Sequence, residues 1–343
     1  MKLIDMMPEV SSDLIDNMSK GNELAQILLT AVRYDIFSLT IEPAAVGEVA
    51  LKLNVAPDLT EKFLNVLTAL KLLTKIGGKY CNSSHSELFL LKSSPFYQGN
   101  LIDLVINGYP GHPGCAPIDL QKINTGTGED QRPFESVFTR SFILAMAEAA
   151  MRGTLQNTVY EISLLPEFKE AKKLLDLGGG HGLYALAFAQ LNPHLDVTVF
   201  DLPEVVGITR EFTEKHNLES QVKVIPGDFN NDDLGEGFDI IFASDVFYRQ
   251  EEAVKNVLQK IFKGLNPGGL VILKHWFLNE DGTGPLETVL FDFKLSLRGN
   301  NHHIYTKPEF ISLLEEAGFE HAFDKDISFS SKPSIILAGR KII

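Results

Sequence analysis

The chain has 343 residues, 44% of them hydrophobic and 22% charged, with a formal net charge of -14. The length allows two domains with a core each, and the composition is that of an ordinary globular protein. The acidic balance excludes a general nucleic-acid binder, which needs a positive face for phosphate, and the only two cysteines, Cys81 and Cys115, lack metal spacing and suggest a reducing compartment.

The first residues carry Asp5, Glu9 and Asp13 rather than a basic leader before an apolar block, so no signal peptide is expected. Residues 21–38 place Leu24, Ile27, Leu28, Ala31 and Val32 on one face of an amphipathic helix. Val46, Val49, Ala50 and Leu53 form a short helix ending near Asn54. Pro57 opens a third helix, with Asp58 or Thr60 as its expected cap and Phe63, Leu64, Val66, Leu67, Leu70 and Leu73 as its apolar set. Two short strands around Gly77-Gly78 follow as a hairpin. Three helices and a hairpin make a winged-helix pattern over residues 1–100. That pattern can bind DNA, but these residues hold 9 Lys+Arg against 11 Asp+Glu, which is no footprint for a phosphate backbone. A dimerisation domain that buries its spare apolar face against a second copy fits better, so a homodimer is expected.

Residues 101–170 read as a helical linker. Pro95, Pro110, Gly111, Pro113, Gly114, Pro117 and Gly126-Thr-Gly128 mark loops between short helices. Phe134 to Leu155 reads as one helix, with Phe138, Phe142, Met146, Ala149 and Ala150 spaced along it. A Met and aromatic stripe is more often core than a ligand wall, but small-molecule pockets form beside linking helices. Phe142 and Met146 are therefore candidate substrate contacts. The apolar stretch from Ser141 to Met151 is too short to span a bilayer and contains Glu148. A soluble, cytoplasmic protein without a membrane partner is expected.

From residue 171 onward, strands at 173–177, 196–200, 222–226, 238–243 and 270–275 alternate with helices, clearest at 251–264 and 307–317. This predicts an α/β domain, a mostly parallel sheet with helices on both faces. Asn266-Pro-Gly-Gly269 reads as a turn before the fifth strand. Two last strands, 320–326 and 334–340, are joined only by residues 328–333, too short for a crossover, so they should pair antiparallel at one edge.

Within this domain, Leu174 to Leu177 is a short apolar run holding Asp176, followed by Gly178, Gly179, Gly180 and Gly182 and then a helical pattern. A strand, a turn where backbone can approach a ligand, and a helix start make the entry of a nucleotide-type site. A dinucleotide fingerprint wants G-x-G-x-x-G, yet the third glycine position is Leu183, so a nicotinamide dehydrogenase is disfavoured. Asp201 at the end of the second strand can accept both hydroxyls of a ribose. Asp228-Phe229 after the third strand suits an adenine, a carboxylate for the exocyclic amine and a ring for the base. Each acid alone can be a cap or a solvated loop residue. Together, at the carboxyl ends of successive strands, they point to a nucleoside.

Leu175-Asp-Leu-Gly-Gly-Gly-His-Gly182, Val199-Phe-Asp-Leu-Pro-Glu-Val205, Gly227-Asp-Phe229 and Asn266-Pro-Gly-Gly269 resemble the S-adenosylmethionine-dependent O-methyltransferases of the plant-caffeate and bacterial-polyketide type. The winged-helix pattern is similar to that family's dimerisation domain, and Thr306-Lys-Pro-Glu-Phe310 with Glu316-Ala-Gly-Phe319 to its C-terminal segment. The resemblance implies a class I methyltransferase sheet at 171–343 with S-adenosylmethionine as cofactor. It implies Gly178 and Gly180 along the methionine part, Asp201 at the ribose, Asp228 and Phe229 at the adenine, and Asp176, Leu202 and Ser244 as further cofactor-binding residues. His181 replaces the family's usual small hydroxyl residue. The acceptor should be small and aromatic, with oxygen the first target atom and carbon the alternative.

One departure stands out. The family's catalytic base is a His in a His-Asp-Trp run after the fourth strand, and this chain has Ser244-Asp-Val-Phe-Tyr-Arg-Gln250, with Tyr248 at the matching place. A base of matched pKa contributes about 100- to 10,000-fold. His275 at the end of the fifth strand, His302 and His303 in the loop before the last helix, and Tyr248 itself are the candidate replacements. A metal held by the three histidines lacks supporting spacing, and none is expected. The missing base keeps one rival open, a cofactor-binding regulator without transferase activity, and the winged-helix pattern another, a transcription factor with a sensing domain.

Overall fold

The structure, a computed structural model, describes residues 10–108, 114, 138–297, 302–329 and 332–342. They divide into two compact units, one running to Gly108 and including Gly114, and one holding everything from Phe138 onward. The proline- and glycine-rich expectations at 110–113 and 115–128, with residues 134–137 of the expected linking helix, lie outside the described residues.

In the first unit the leading helix is Asp13–Arg33, beginning eight residues before the apolar periodicity does. Its early turns are solvent-facing, with Leu14, Ile15 and Met18 exposed, so they carry no core stripe for a periodicity to show. Asp35, in the left-handed region at φ 54°, ends it and starts the separate turn Ile36–Leu39. Val46–Leu53 stops at Asn54, also left-handed, as its position implies. The third helix, Pro57–Ala69, corrects the expected caps. Ala56 is the N-cap, Pro57 sets the first turn, and the Thr60 hydroxyl donates back to the Ala56 carbonyl at 3.0 Å. The hairpin β1 (Leu73–Ile76) and β2 (Lys79–Asn82) is antiparallel, and Ala44 bridges to Tyr80 beside it. Ile36, Phe37, Leu64, Leu67 and Tyr80 close the core.

The second unit is built on seven strands: β3 (Lys173–Leu177), β4 (Asp196–Asp201), β5 (Val222–Pro226), β6 (Phe238–Ser244), β7 (Leu265–His275), β8 (Phe319–Asp326) and β9 (Ile335–Lys341). Their order is β5-β4-β3-β6-β7-β9-β8. All neighbours from β5 to β7 are parallel, while β9 runs antiparallel to both β7 and β8. The central strands are buried on both faces, which explains their near-continuous apolar runs. The expected turn at Asn266 lies inside β7. Leu265 pairs with Phe238 before a register shift, and the Asn266 amide donates to the Gly237 carbonyl at 3.1 Å and to Asp239 Oδ1 at 2.8 Å.

The single helix expected from Phe134 to Leu155 is two, Arg140–Ala150 and Thr154–Ser163, parted at Gly153 with φ 111°. Because strand order reverses between β3 and its neighbours β4 and β6, a crevice opens at the carboxyl ends of these strands. The candidate site is built there.

Candidate functional site

The glycine turn follows directly from β3. Gly178 donates its amide to the Phe200 carbonyl at 2.8 Å, which ties the turn to the end of β4. Gly178 and Gly180 have φ 66° and 55°, a conformation that side-chain-bearing residues rarely adopt. Their surroundings differ. A Cβ on Gly178 would lie 2.6 Å from Val246 Cγ1, whereas one on Gly180 would meet nothing within 4 Å. Gly178 is therefore needed by the protein's own packing, and Gly180 presents bare backbone to open space. The Thr209 hydroxyl holds the Gly180 carbonyl at 2.6 Å from the far side.

Two carboxyls flank this turn. Asp176 is 1% exposed and its Oδ2 has no hydrogen-bond partner. Burial first, then the charge of Asp201, push its pKa up to about 7, against a hydrogen bond from the Ala185 amide. Asp201 accepts from the Gly180 amide at 2.6 Å through Oδ2 and from the Leu202 amide at 2.7 Å through Oδ1. Burial raises its pKa to about 6 in spite of these two donors. An orphaned carboxyl oxygen and a second buried carboxyl, both raised, make a place that a cationic, hydroxyl-bearing ligand would relieve. His181, in the same turn, is buried and stacks on Tyr184 at 6.2 Å. Its Nδ1 accepts from the Leu183 amide at 3.1 Å, and burial lowers its pKa to about 4, so the ring is neutral.

The loop after β5 supplies Asp228 and Phe229. Much of the Asp228 carboxylate is committed to its own turn: Oδ1 accepts from the Asn230 backbone and side-chain amides at 2.9 and 2.6 Å, and Oδ2 from the Asn231 amide at 2.7 Å. Phe229 packs with Val246 in the core cluster beneath the turn. Lys260, which sequence reasoning passed over, holds the loop. Its ammonium donates to the carbonyls of Phe229, Asn230 and Asp232 at 3.0, 2.8 and 2.9 Å. Only its half-buried place at the edge of the apolar face of the Glu251–Gly264 helix could have signalled it.

Phe142 and Met146 lie on the Arg140–Ala150 helix, both half-buried. Phe142 sits edge-on to Phe138 at 5.8 Å, in a cluster with Ile143, Leu202, Val205 and Ile208. The helix therefore covers the segment that follows Asp201. Arg140 clamps it with a two-pronged pair to Glu211 at 2.7 and 2.8 Å.

The base candidates fall into different surroundings. His275 is fully buried among the rings of Tyr248, Phe277 and Phe310, at centroid distances of 4.1, 5.2 and 5.7 Å. Its Nδ1 lies 2.9 Å from the Trp276 carbonyl and must donate, and burial lowers its pKa to about 4. It is a neutral core histidine. Tyr248 is also buried, and its hydroxyl donates to Asp245 Oδ1 at 2.7 Å while accepting from the Trp276 amide at 3.3 Å. Burial, and then the Asp245 charge, raise its pKa well above 10, so it keeps its proton. His302 and His303 stand beside Arg249–Gln250. The His302 carbonyl accepts from the Gln250 amide at 3.2 Å, and the exposed His303 ring meets Tyr305 edge-on at 4.5 Å.

Sequence reasoning missed Asp245 and Lys274. Ser244 ends β6 and pairs in register with Lys274 on β7, and Lys274, buried to 5% side-chain exposure, forms an ion pair with Asp245 Oδ2. Tyr184 closes the cluster with a hydrogen bond to Ser244 and sits near enough to feel both charges. A lysine ending the apolar run Leu270–Leu273 was the available signal, since a buried lysine requires a partner. Among the described residues no group of three His, Cys, Asp or Glu is placed to hold a metal ion, and no helix is long and apolar enough to cross a membrane.

The family profile of the O-methyltransferase domain matches residues 126–320, more than half of the chain. An uncharacterised protein of Methanocaldococcus jannaschii is 30% identical over 96% of this chain and 84% of its own length. The tetracenomycin polyketide synthesis 8-O-methyl transferase TcmO of Streptomyces glaucescens is 27% identical over 92% of this chain and 93% of its own. Among solved structures, human N-acetylserotonin methyltransferase in complex with S-adenosylmethionine superposes with a TM-score of 0.74 at 24% identity, covering 98% of this chain and 100% of that one.

Proposed function

Because the chain belongs to the O-methyltransferase family, we propose that it transfers the methyl group of S-adenosylmethionine to a hydroxyl oxygen of a small aromatic acceptor. The observation that carries the assignment of the cofactor to this crevice is the pair of buried carboxyls, Asp176 and Asp201, on either side of a glycine turn whose Gly180 face is open.

The residues present fit that group. Its sulfonium and ammonium charges suit the two raised carboxyls, and its ribose hydroxyls suit Asp201, which keeps acceptor capacity beyond the two amides it already binds. Gly178 and Gly180 would run along the methionine portion, Asp228 with Phe229 would take the adenine, and Leu202 and Ser244 would complete the cofactor-binding residues. When bound, the cofactor supplies a methyl group already attached to a good leaving group. What the chain must add is alignment, which can supply several kcal/mol, and a destination for the hydroxyl proton.

For the acceptor, Phe142 and Met146 would form part of the wall from the Arg140–Ala150 helix. Among similar proteins, TcmO by its name serves polyketide synthesis, and another is a 3-hydroxy-5-methyl-1-naphthoate 3-O-methyltransferase, which supports an aromatic acceptor. The first unit, with its three helices and hairpin, would act as a winged-helix dimerisation domain. Leu14, Ile15, Met18 and Leu24, exposed along the Asp13–Arg33 helix, support a homodimer. The chain would work in the cytoplasm. The working division remains residues 1–100 for dimerisation, 101–170 for the linker and acceptor wall, and 171–343 for catalysis.

Calorimetric titration with S-adenosylhomocysteine, and incubation with methyl-labelled cofactor and a panel of hydroxyaromatics, test this proposal. Saturable binding and label in a methyl ether are expected. Binding without any labelled product would favour the regulator instead, and no binding would remove the site assignment.

A further inference from the structure

Tyr248 keeps its proton and His275 is buried among rings in its neutral form, and a carboxylate stands beside Tyr248. Asp245 immediately follows β6, next to Ser244, with its backbone at φ 57°. The following residue, Val246, is the one whose side chain packs against Gly178, so this segment borders the glycine turn. Lys274 and His275 are successive in β7 and so point to opposite faces of the sheet. Asp245 lies across the end of the sheet and is held from both sides. Its Oδ2 pairs with Lys274 and lies 3.4 Å from the Ser244 hydroxyl, and its Oδ1 accepts from Tyr248. Its amide is fixed too, donating to the Lys274 carbonyl at 2.9 Å. Lys274 also faces His181 and Tyr184, which ties the cluster to the glycine turn. Lys274 is 5% exposed and Asp245 32%, so of the ion pair it is the carboxylate that reaches the open side.

We propose that Asp245 is the catalytic residue that receives the acceptor's hydroxyl proton, oriented by Lys274 and by Tyr248 in the place of the family's histidine. Lys274, Ser244 and Tyr248 occupy three positions on a carboxylate that can accept about four hydrogen bonds, which leaves one on Oδ1 for the acceptor's hydroxyl. The inference rests on the O-methylation proposed above. As a lone pair of the acceptor oxygen forms the bond to the methyl carbon, the carbon–sulfur bond breaks and its electron pair returns to sulfur. The O–H proton passes to Asp245, and the O–H bonding pair stays on the new ether oxygen. The products are a methyl ether, a neutral thioether and a carboxylic acid that returns its proton to solvent through its exposed side. A carboxylate is a weak base, but the oxygen turns strongly acidic as it acquires the methyl group, so proton loss needs no stronger one.

Tyr248 and Lys274 are positioning residues here. The neutral phenol donates to the carboxylate, and the buried ammonium cannot leave it without becoming an unpaired charge.

Asp245→Asn is the deciding variant, because Asn tolerates the left-handed backbone and keeps the shape. A second variant, Asp245→Asn with Lys274→Met, removes the lone buried charge that the single change could leave behind. Both are expected to bind S-adenosylhomocysteine within about threefold of wild type, and kcat is expected to fall by about 100- to 10,000-fold. A binding readout accompanies the rate. On enzyme loaded with S-adenosylhomocysteine, Asp245→Asn should weaken 2-naphthol, 5-hydroxyindole and 4-hydroxybenzoate but leave their methyl ethers unchanged, since only the hydroxyls donate a hydrogen bond. Variants that keep the wild-type rate, or that lose hydroxyl and ether affinity alike, would overturn the assignment to Asp245. A wild-type enzyme that methylates none of these hydroxyls overturns the parent proposal together with this one.

Discussion

Asp201 is a scaffold of the glycine turn and, in the proposed assignment, an acceptor for the cofactor's ribose as well. Its two oxygens already hold the Gly180 and Leu202 amides at 2.6 and 2.7 Å, which fixes the turn before any ligand arrives. Asp201→Asn keeps the shape but replaces one acceptor by a donor. A hydrogen bond involving a charged group contributes about 1.5–3 kcal/mol, and 1.4 kcal/mol is tenfold in affinity. Affinity for S-adenosylhomocysteine should therefore fall by roughly 10- to 100-fold by calorimetry, and an unchanged affinity would remove Asp201 from the site. His275 allows a test free of any ligand. Its folded pKa of about 4 lies below the ordinary 6.5, because burial disfavours the charged ring. Between those values the folded state binds fewer protons than the unfolded one, so its stability falls as pH drops below about 6.5, and this penalty reaches its full size near pH 4. At pH 5 the deficit is roughly 2 kcal/mol and at pH 8 it is absent. His275→Phe should thus gain Tm relative to wild type at pH 5 compared with pH 8. Equal differences at both would mean that the ring is not buried neutral. At this scale the sequence named His275 correctly as a strand-end residue, but strand position alone does not say which face it takes or how deeply the opposing helix covers it.

The glycine turn is the element on which the site depends, and its two key glycines separate structure from binding. Gly178→Ala would place a methyl 2.6 Å from Val246 Cγ1 at φ 66°. Left-handed backbone costs about 1–2 kcal/mol for a side-chain-bearing residue, and forced overpacking about 1–3 more. A lowered Tm is expected with that variant. Gly180→Ala meets nothing within 4 Å, so it should lose only about the backbone 1–2 kcal/mol while S-adenosylhomocysteine binding weakens about tenfold or more, since its methyl would fill the cradle. If both variants lose stability alike and Gly180→Ala binds normally, the open face is not where the ligand lies. The motif was legible because a strand, a run of glycines and an apolar helix leave a composition signal no other element makes. The expected helix from Phe134 to Leu155 was misjudged because Gly153 at φ 111° interrupts an apolar periodicity that continues on both sides. Asp58 and Thr60 were misjudged as caps because Pro57 already sets the first turn.

For the whole molecule, the proposed dimer predicts that sedimentation gives twice the chain mass of 38.0 kDa. Leu14→Glu with Met18→Glu, on the exposed face of the Asp13–Arg33 helix, should shift the protein toward monomer while S-adenosylhomocysteine binding persists; a dimer unmoved by these changes would place the interface elsewhere. The sequence by itself determined the alternation of strand and helix, the antiparallel closing pair, the glycine turn and the acids at 176, 201 and 228. These are local or periodic properties, set by side-chain period, backbone freedom and the short link between the last strands. Only the tertiary structure decided what surrounds each titratable group. Which of His275, Tyr248 and Asp245 is buried, held or open depends on β6 and β7 lying in register and on the helices packed over each face. Those contacts join residues far apart in the chain, as Lys274 joins Asp245 across the ends of two strands, and no spacing along the sequence encodes them.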